Sequence, residues 1–266
     1  MLVRFCAVAV LAAWGTALSE DGKPPDDAVV VTTLRNPVAK SYRKMVEASK
    51  LFEEKRHLAP EAALRFKLLP REQDVTMQGI RLKVETESLA IPLKVSPDQT
   101  FALEVDQRAL KENARVVPNR KAGTMTWRAD VRTPGLPPDT RRLGDLRLEC
   151  EVGMKAGLIS KYPRGFWDWL DVLLPEGPAY CHREQPNYLF FAEHPLFSVT
   201  LVDGTRREVL SVDRMYSGAT KDPDWKKHLR HCDCAALLDR AYFMPLGDAS
   251  WSDETRVELE YMDGPT

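Results

Sequence analysis

Ile80-Arg81-Leu82-Lys83-Val84-Glu85 alternates an apolar with a charged side chain at every step, and that alternation decides the fold class. Successive side chains on a strand point to opposite sides, so this stretch has one dry face and one wet face, as in an antiparallel sheet covered on a single side. The same period recurs upstream, where Leu64, Phe66 and Leu68 alternate with Arg65 and Lys67. Downstream it continues in Leu89, Ile91, Leu93 and Val95, with Pro92 on the opposite face marking an edge or bulge. Phe101, Leu103 and Val105 follow the turn residues Ser96-Pro97-Asp98-Gln99, and Met125, Trp127, Ala129 and Val131 follow a turn at 119–123. Leu146, Leu148, Cys150 and Val152 alternate with Arg147, Glu149 and Glu151, which predicts another strand with Cys150 facing inward. Short strands separated by turn signals predict a mainly β, β-rich α+β chain with one or two antiparallel β-sandwich-like domains.

Working outward, the first helix signal is Asn36-Pro37, where Asn suits an N-cap and proline the first helical position. Val38, Tyr42, Met45, Ser49 and Phe52 then recur at spacings of four and three, predicting an N-terminal amphipathic helix of about five turns ending before Pro60. Ahead of it, 28–34 reads as a strand. Beyond the Pro-rich connector 133–139, a short helix is expected from Gly165 to Leu174, followed by a loop carrying Cys181 and His182. Asp203-Gly204 between two β-rich runs is a hairpin signal. Trp225, Leu229, Cys232 and Ala236 give helix-compatible spacing over 225–242, and Val257, Leu259 and Tyr261 supply a last strand.

The first 19 residues have the form of a secretory signal: a basic start ending at Arg4, an apolar run from Phe5 to Trp14, and small residues up to Ser19. The apolar run of about ten residues is well short of the roughly 20 needed to span a bilayer. The expected organisation is therefore a signal peptide over 1–19, a flexible polar lead-in over 20–27, a β-rich domain with its helix over 28–155, and a second β-rich region over 156–266 that is separate from or continuous with the first. With 38 Lys and Arg against 39 Asp and Glu, interspersed, the chain lacks the clustered positive charge of a nucleic-acid or polybasic membrane surface. The implied location is secreted or periplasmic.

That compartment governs the cysteines. Loss of Cys6 with the signal leaves Cys150, Cys181, Cys232 and Cys234, an even set for which disulfides are the default. A bond between Cys232 and Cys234 would close a very small ring, so each is expected to pair with Cys150 or Cys181, tethering the C-terminal helical segment. The competing chemistry is a zinc site from Cys181, His182, His231, Cys232 and Cys234, whose spacing contains no C-x-x-C pair. Trp167 and Trp169 are candidate ligand platforms, since an exposed indole face offers apolar area to a glycan. Asp168, Asp171 and Glu176 lie near them as a conceivable glycosidase pair, and Asp248, Asp253 and Glu254 form an acidic group without EF-hand spacing. There is no G-x-S-x-G elbow, H-E-x-x-H or glycine-rich phosphate loop, and no cofactor is implied. These residues point to a non-enzymatic secreted binding or envelope-associated protein, with a glycan or envelope protein as partner. The alternatives are a secreted hydrolase and an assembly protein that pairs through a sheet edge.

Overall fold

Helix α3 (Leu143–Ala156) organises the packing, and it occupies the stretch whose alternation predicts a strand. Two positions apart on a strand share a face, whereas on a helix they lie about 200° apart. Leu143, Leu146 and Cys150 point into one apolar core, while Leu148, Val152 and Ala156 point into another. The alternation is thus two interleaved helical stripes, each buried on its own side. Gly157 ends the helix with φ of 63°, and the Leu158 amide donates to the Gly153 carbonyl at 3.2 Å, a glycine C-cap.

The computed structural model describes residues 38–121, 123–158, 177–183, 188–215 and 235–263. The signal 1–19, the lead-in 20–27, the strand expected at 28–34, Trp167, Trp169, Asp168, Asp171, Glu176, His231, Cys232 and Cys234 lie outside these residues. Residues 34–266 form one compact unit, with α3 contributing to both cores.

The described sheets are antiparallel. β2 (Ala63–Pro70) pairs along its whole length with β7 (Met125–Arg132), and β5 (Thr100–Phe101) flanks β2 on its other edge. The register opposes Phe66 to Ala129 and Leu68 to Trp127, so one face carries Phe66, Leu68, Phe101, Trp127 and Val131 into the first core. A second sheet has the order β1 (Lys40–Ser41), β6 (Arg115–Pro118), β3 (Leu82–Glu85), β4 (Ala90–Leu93). A third orders β11 (Arg206–Val209), β10 (Leu196–Asp203), β13 (Arg256–Tyr261) and β8 (Thr140–Arg142), with Asp203-Gly204 closing the β10–β11 hairpin. β9 (Leu189–Phe191) pairs with β12 (Ala241–Phe243).

Helix α1 (Tyr42–Glu54) starts later than Asn36-Pro37 predicts. Lys40 and Ser41 pair as β1 with β6, and the Ser41 hydroxyl accepts the Lys44 amide as N-cap at 3.4 Å. Its stripe of Tyr42, Met45, Val46, Ala48 and Phe52 is buried, as the spacing requires. After Glu54 only a single turn of 3-10 helix follows, at Arg56–Leu58, so the helix is shorter than the periodicity suggests. A short helix α2 (Gln107–Lys111) is capped by Asp106, which accepts the Ala109 amide at 2.7 Å. Leu103 and Val105 are not in a strand, and Val105 is exposed. Near the C-terminus, Ala235–Arg240 is a kinked 3-10 segment, and 241–243 is strand β12 where helical spacing was expected to continue. Tyr242 and Phe190 stack at 5.6 Å across that strand pair, a packing opportunity absent from local spacing.

Candidate binding cleft

The face of the β2–β7 pair opposite Phe66 and Trp127 is rich in charge. The register places Arg65 against Asp130, Lys67 against Arg128, and Ala63 against Arg132. A cavity of about 360 Å³ opens over this face, lined by Ala63, Arg65, Lys67, Asp98, Asp130, Arg132 and Glu193. Four of the six charged lining groups stand on paired strands, so their backbone positions are fixed by the ladder. Glu193 instead reaches in from the loop between β9 and β10.

Its carboxylate is held by two cations. Lys67 Nζ donates to both oxygens at 2.6 and 2.7 Å, and an Arg132 guanidinium nitrogen donates to one of them at 2.8 Å. Arg132 Nε also donates to Asp130 at 2.9 Å. Arg65 donates to the hydroxyls of Thr100 at 2.6 Å and Ser96 at 2.9 Å, and Thr100 in turn donates to Asp98 at 2.8 Å. Arg128 lies over the Phe191 ring, 5.1 Å from its centroid, closing one end of the charged face.

The ionisation follows from these contacts. Burial alone would push the Asp130 carboxyl up, but the Arg132 and Arg141 guanidiniums outweigh it and hold it below the usual carboxylate range. Burial acts the same way on Glu193, and there Lys67 and Arg132 bring the carboxyl below its ordinary value. Both acids are therefore charged at neutral pH, and the cleft presents fixed opposite charges.

Beneath the cleft, α3 seals the open edge of β7. Glu149 accepts the Val131 amide at 3.1 Å and Arg141 at 2.7 Å, while Arg141 donates to the Val131 carbonyl at 2.8 Å. One turn earlier, Asp145 accepts both the amide and the hydroxyl of Thr133 at 2.8 Å. Side chains thus supply the hydrogen bonds that a neighbouring strand would otherwise make. Burial pushes the Glu149 carboxyl above the usual range despite the adjacent guanidinium, and Arg141 is raised in turn because Glu149 and its other anionic neighbours outweigh its burial.

The cysteines are joined differently from the expectation. Cys150 bonds Cys181, with Cα atoms 6.0 Å apart, fastening α3 to the 3-10 turn Pro178–His182. This is the pairing that the small-ring argument disfavoured. Because 150 lies on a helix and not a strand, its sulfur faces the second core, where that turn packs. Cys181 in a disulfide offers no thiolate, which removes it from the proposed zinc set. His182 lies beside the buried Glu151, 3.1 Å from one oxygen, with Lys55 Nζ 3.0 Å from the other, although neither is aligned as a hydrogen bond. Among the described residues there is no group of three or more His, Cys, Asp and Glu placed to hold a metal ion. Of the acidic group near the C-terminus, Asp253 pairs with Arg147 at 2.6 Å, Glu254 pairs with Arg142, and Asp248 accepts the Ser250 amide at 2.9 Å.

Comparison with protein-family models, with curated proteins and with solved structures returned no match. The cleft is consequently read on its own chemistry. Arg65, Lys67, Asp130 and Arg132 stand in the sequence as charged positions of two alternating strands, where solvated faces are the ordinary reading, whereas Asp98 and Glu193 carry no such signal. The signal that sequence reasoning missed is the charged set Arg128, Asp130 and Arg132 at alternate positions of one strand; their placement opposite Arg65 and Lys67 follows only from the register. The buried disulfide points to an oxidising compartment, and no described helix is long and apolar enough to cross a membrane.

Proposed function

We propose that this chain is a non-enzymatic binding protein of a secreted or periplasmic setting, and that its ligand presents a carboxylate or phosphate to the cleft over β2 and β7. The observation that carries the reading is the convergence of Lys67 and Arg132 on a single carboxylate within a cavity of about 360 Å³. A guanidinium offers directed paired donors and an ammonium a compact charge, and together they suit a planar or tetrahedral oxyanion. Mounting both on one strand pair keeps them in register before any ligand arrives, which lowers the ordering cost of binding. The edge-pairing alternative has weaker support. The edge strand β4 has only four residues, and Pro92 removes one of its donors.

The test is titration of the oxidised protein with inorganic phosphate and with acetate at constant ionic strength, followed by amide chemical shifts. Saturable shifts centred on residues 63–67 and 130–132 are expected, and Lys67→Ala should weaken binding about tenfold or more, the loss of one charge-assisted contact. Shifts spread evenly over the surface, or a Lys67→Ala protein that binds like the wild type, would remove the basis for the reading.

A further inference from the structure

We infer that the Glu193 side chain is an internal stand-in for the ligand, and that an external carboxylate or phosphate enters the cleft by exchanging with it. This rests on the anion-binding reading of the cleft and adds how the site is gated. Lys67 is only 13% exposed at its side chain, so an anion that replaces Glu193 meets an ammonium already held in place. Glu193 is 43% exposed and approaches from the solvent side, so nothing described bars its withdrawal.

The loop that carries Glu193 is anchored by its backbone. The Ala192 amide donates to the Arg240 carbonyl at 2.9 Å, the Arg240 guanidinium donates to the Glu193 carbonyl, and the Met262 amide donates to the Pro195 carbonyl at 2.9 Å. Exchange therefore requires only rotation about side-chain bonds, with the loop held in place. Once Glu193 swings out, Lys67 and one arm of Arg132 are left facing the cavity, while Asp130 continues to hold Arg132 through Nε. An incoming oxyanion meets the same three donor contacts that the glutamate had. The clamp favours anions as well: a neutral ligand would forgo the charge-assisted contacts that Lys67 and Arg132 make with the carboxylate.

An occupied site binds its ligand with an affinity reduced by the fraction of time it is open. Glu193→Gln keeps the shape and removes the charge that Lys67 and Arg132 clamp. The expected result, in the same phosphate and acetate titrations, is binding about 3- to 10-fold tighter than wild type, as for a partly exposed pair displaced from two cations. Asp98→Asn is the control, because it makes the same change of net charge at the cleft wall while leaving the clamp filled. It should tighten binding less than twofold. Equal gains in the two variants would show a general field effect and overturn the exchange, as would a Glu193→Gln protein that binds like the wild type or more weakly. If neither the wild type nor Glu193→Gln binds either anion, the anion-binding reading itself fails.

Discussion

Strand β7 meets carboxylates on two sides, and the two encounters have opposite character. At its open edge, Glu149 from α3 is sealed with Arg141 against the Val131 backbone, with both side chains less than a tenth exposed. Over its charged face, Glu193 joins Lys67 and Arg132 at the rim of a cavity that opens to solvent. The ingredients match, a glutamate with strongly basic partners, yet burial assigns them different work. The sealed pair supplies hydrogen bonds at an edge of β7 where no other strand pairs among the described residues. The open one holds cations in readiness where a ligand can reach them.

The largest effect of a single substitution should come from breaking the sealed pair. Glu149→Gln takes from the buried Arg141 guanidinium its hydrogen-bonded counter-charge, leaving only the more distant Asp130, and is expected to cost about 3 kcal/mol in urea unfolding at neutral pH. Replacing both partners with apolar residues, Arg141→Met and Glu149→Leu, removes the unpaired charge but leaves the Val131 amide and carbonyl without their partners, so little of the loss should return; full recovery would mean that the β7 edge does not depend on these hydrogen bonds. Removing the disulfide with Cys150→Ala and Cys181→Ala frees a loop spanning a sequence separation of 31. The chain-entropy relation puts that cost at roughly 3–4 kcal/mol, read as a shift of the same unfolding midpoint.

Acid should separate the two sites by sign. The Glu193 and Asp130 carboxyls are lowered in the folded state, so their stabilising contribution is present above the ordinary carboxylate pKa and is lost as pH falls through the depressed folded values. Glu149 is raised, so its linkage runs the other way and gives no loss on acidification. Wild-type stability is therefore expected to fall below about pH 4. Glu193→Gln should flatten that fall, and Glu149→Gln should leave its slope unchanged or steeper. At neutral pH the smallest change is expected from Glu193→Gln, within about 1 kcal/mol, since a partly exposed pair contributes little. A loss of several kcal/mol would recast Glu193 as a structural strap.

The same contrast explains what the sequence could reveal. β2, β3 and β7 were legible because each alternates apolar with polar side chains, although on β7 the polar side is largely buried within the charged network. α3 was not, since a helix with a core on each side produces the same alternation, and its acidic side chains are buried, Asp145 and Glu149 at the β7 edge and Glu151 beside Lys55 and His182. Asn36-Pro37 has the chemistry of a helix start, but the pairing of Lys40 and Ser41 with β6 moves the start to Tyr42. Part of the charged face could be read from strand register. The clamp could not, because Glu193 meets Lys67 across 126 positions of sequence and only the tertiary fold brings them together.

Gly153 adds a consequence of its own. It lies beneath the Tyr188 hydroxyl, so close that any side chain there would collide with it. Tyr188 also stacks on Phe190, 4.9 Å away at the start of β9, and Glu193 lies three residues further along the same segment. The bare backbone of one helical turn thus sets how near the Tyr188 ring can lie to α3. A methyl group at residue 153 would press the Tyr188 ring, and Phe190 stacked on it, away from the helix, so the strain would fall inside the second core.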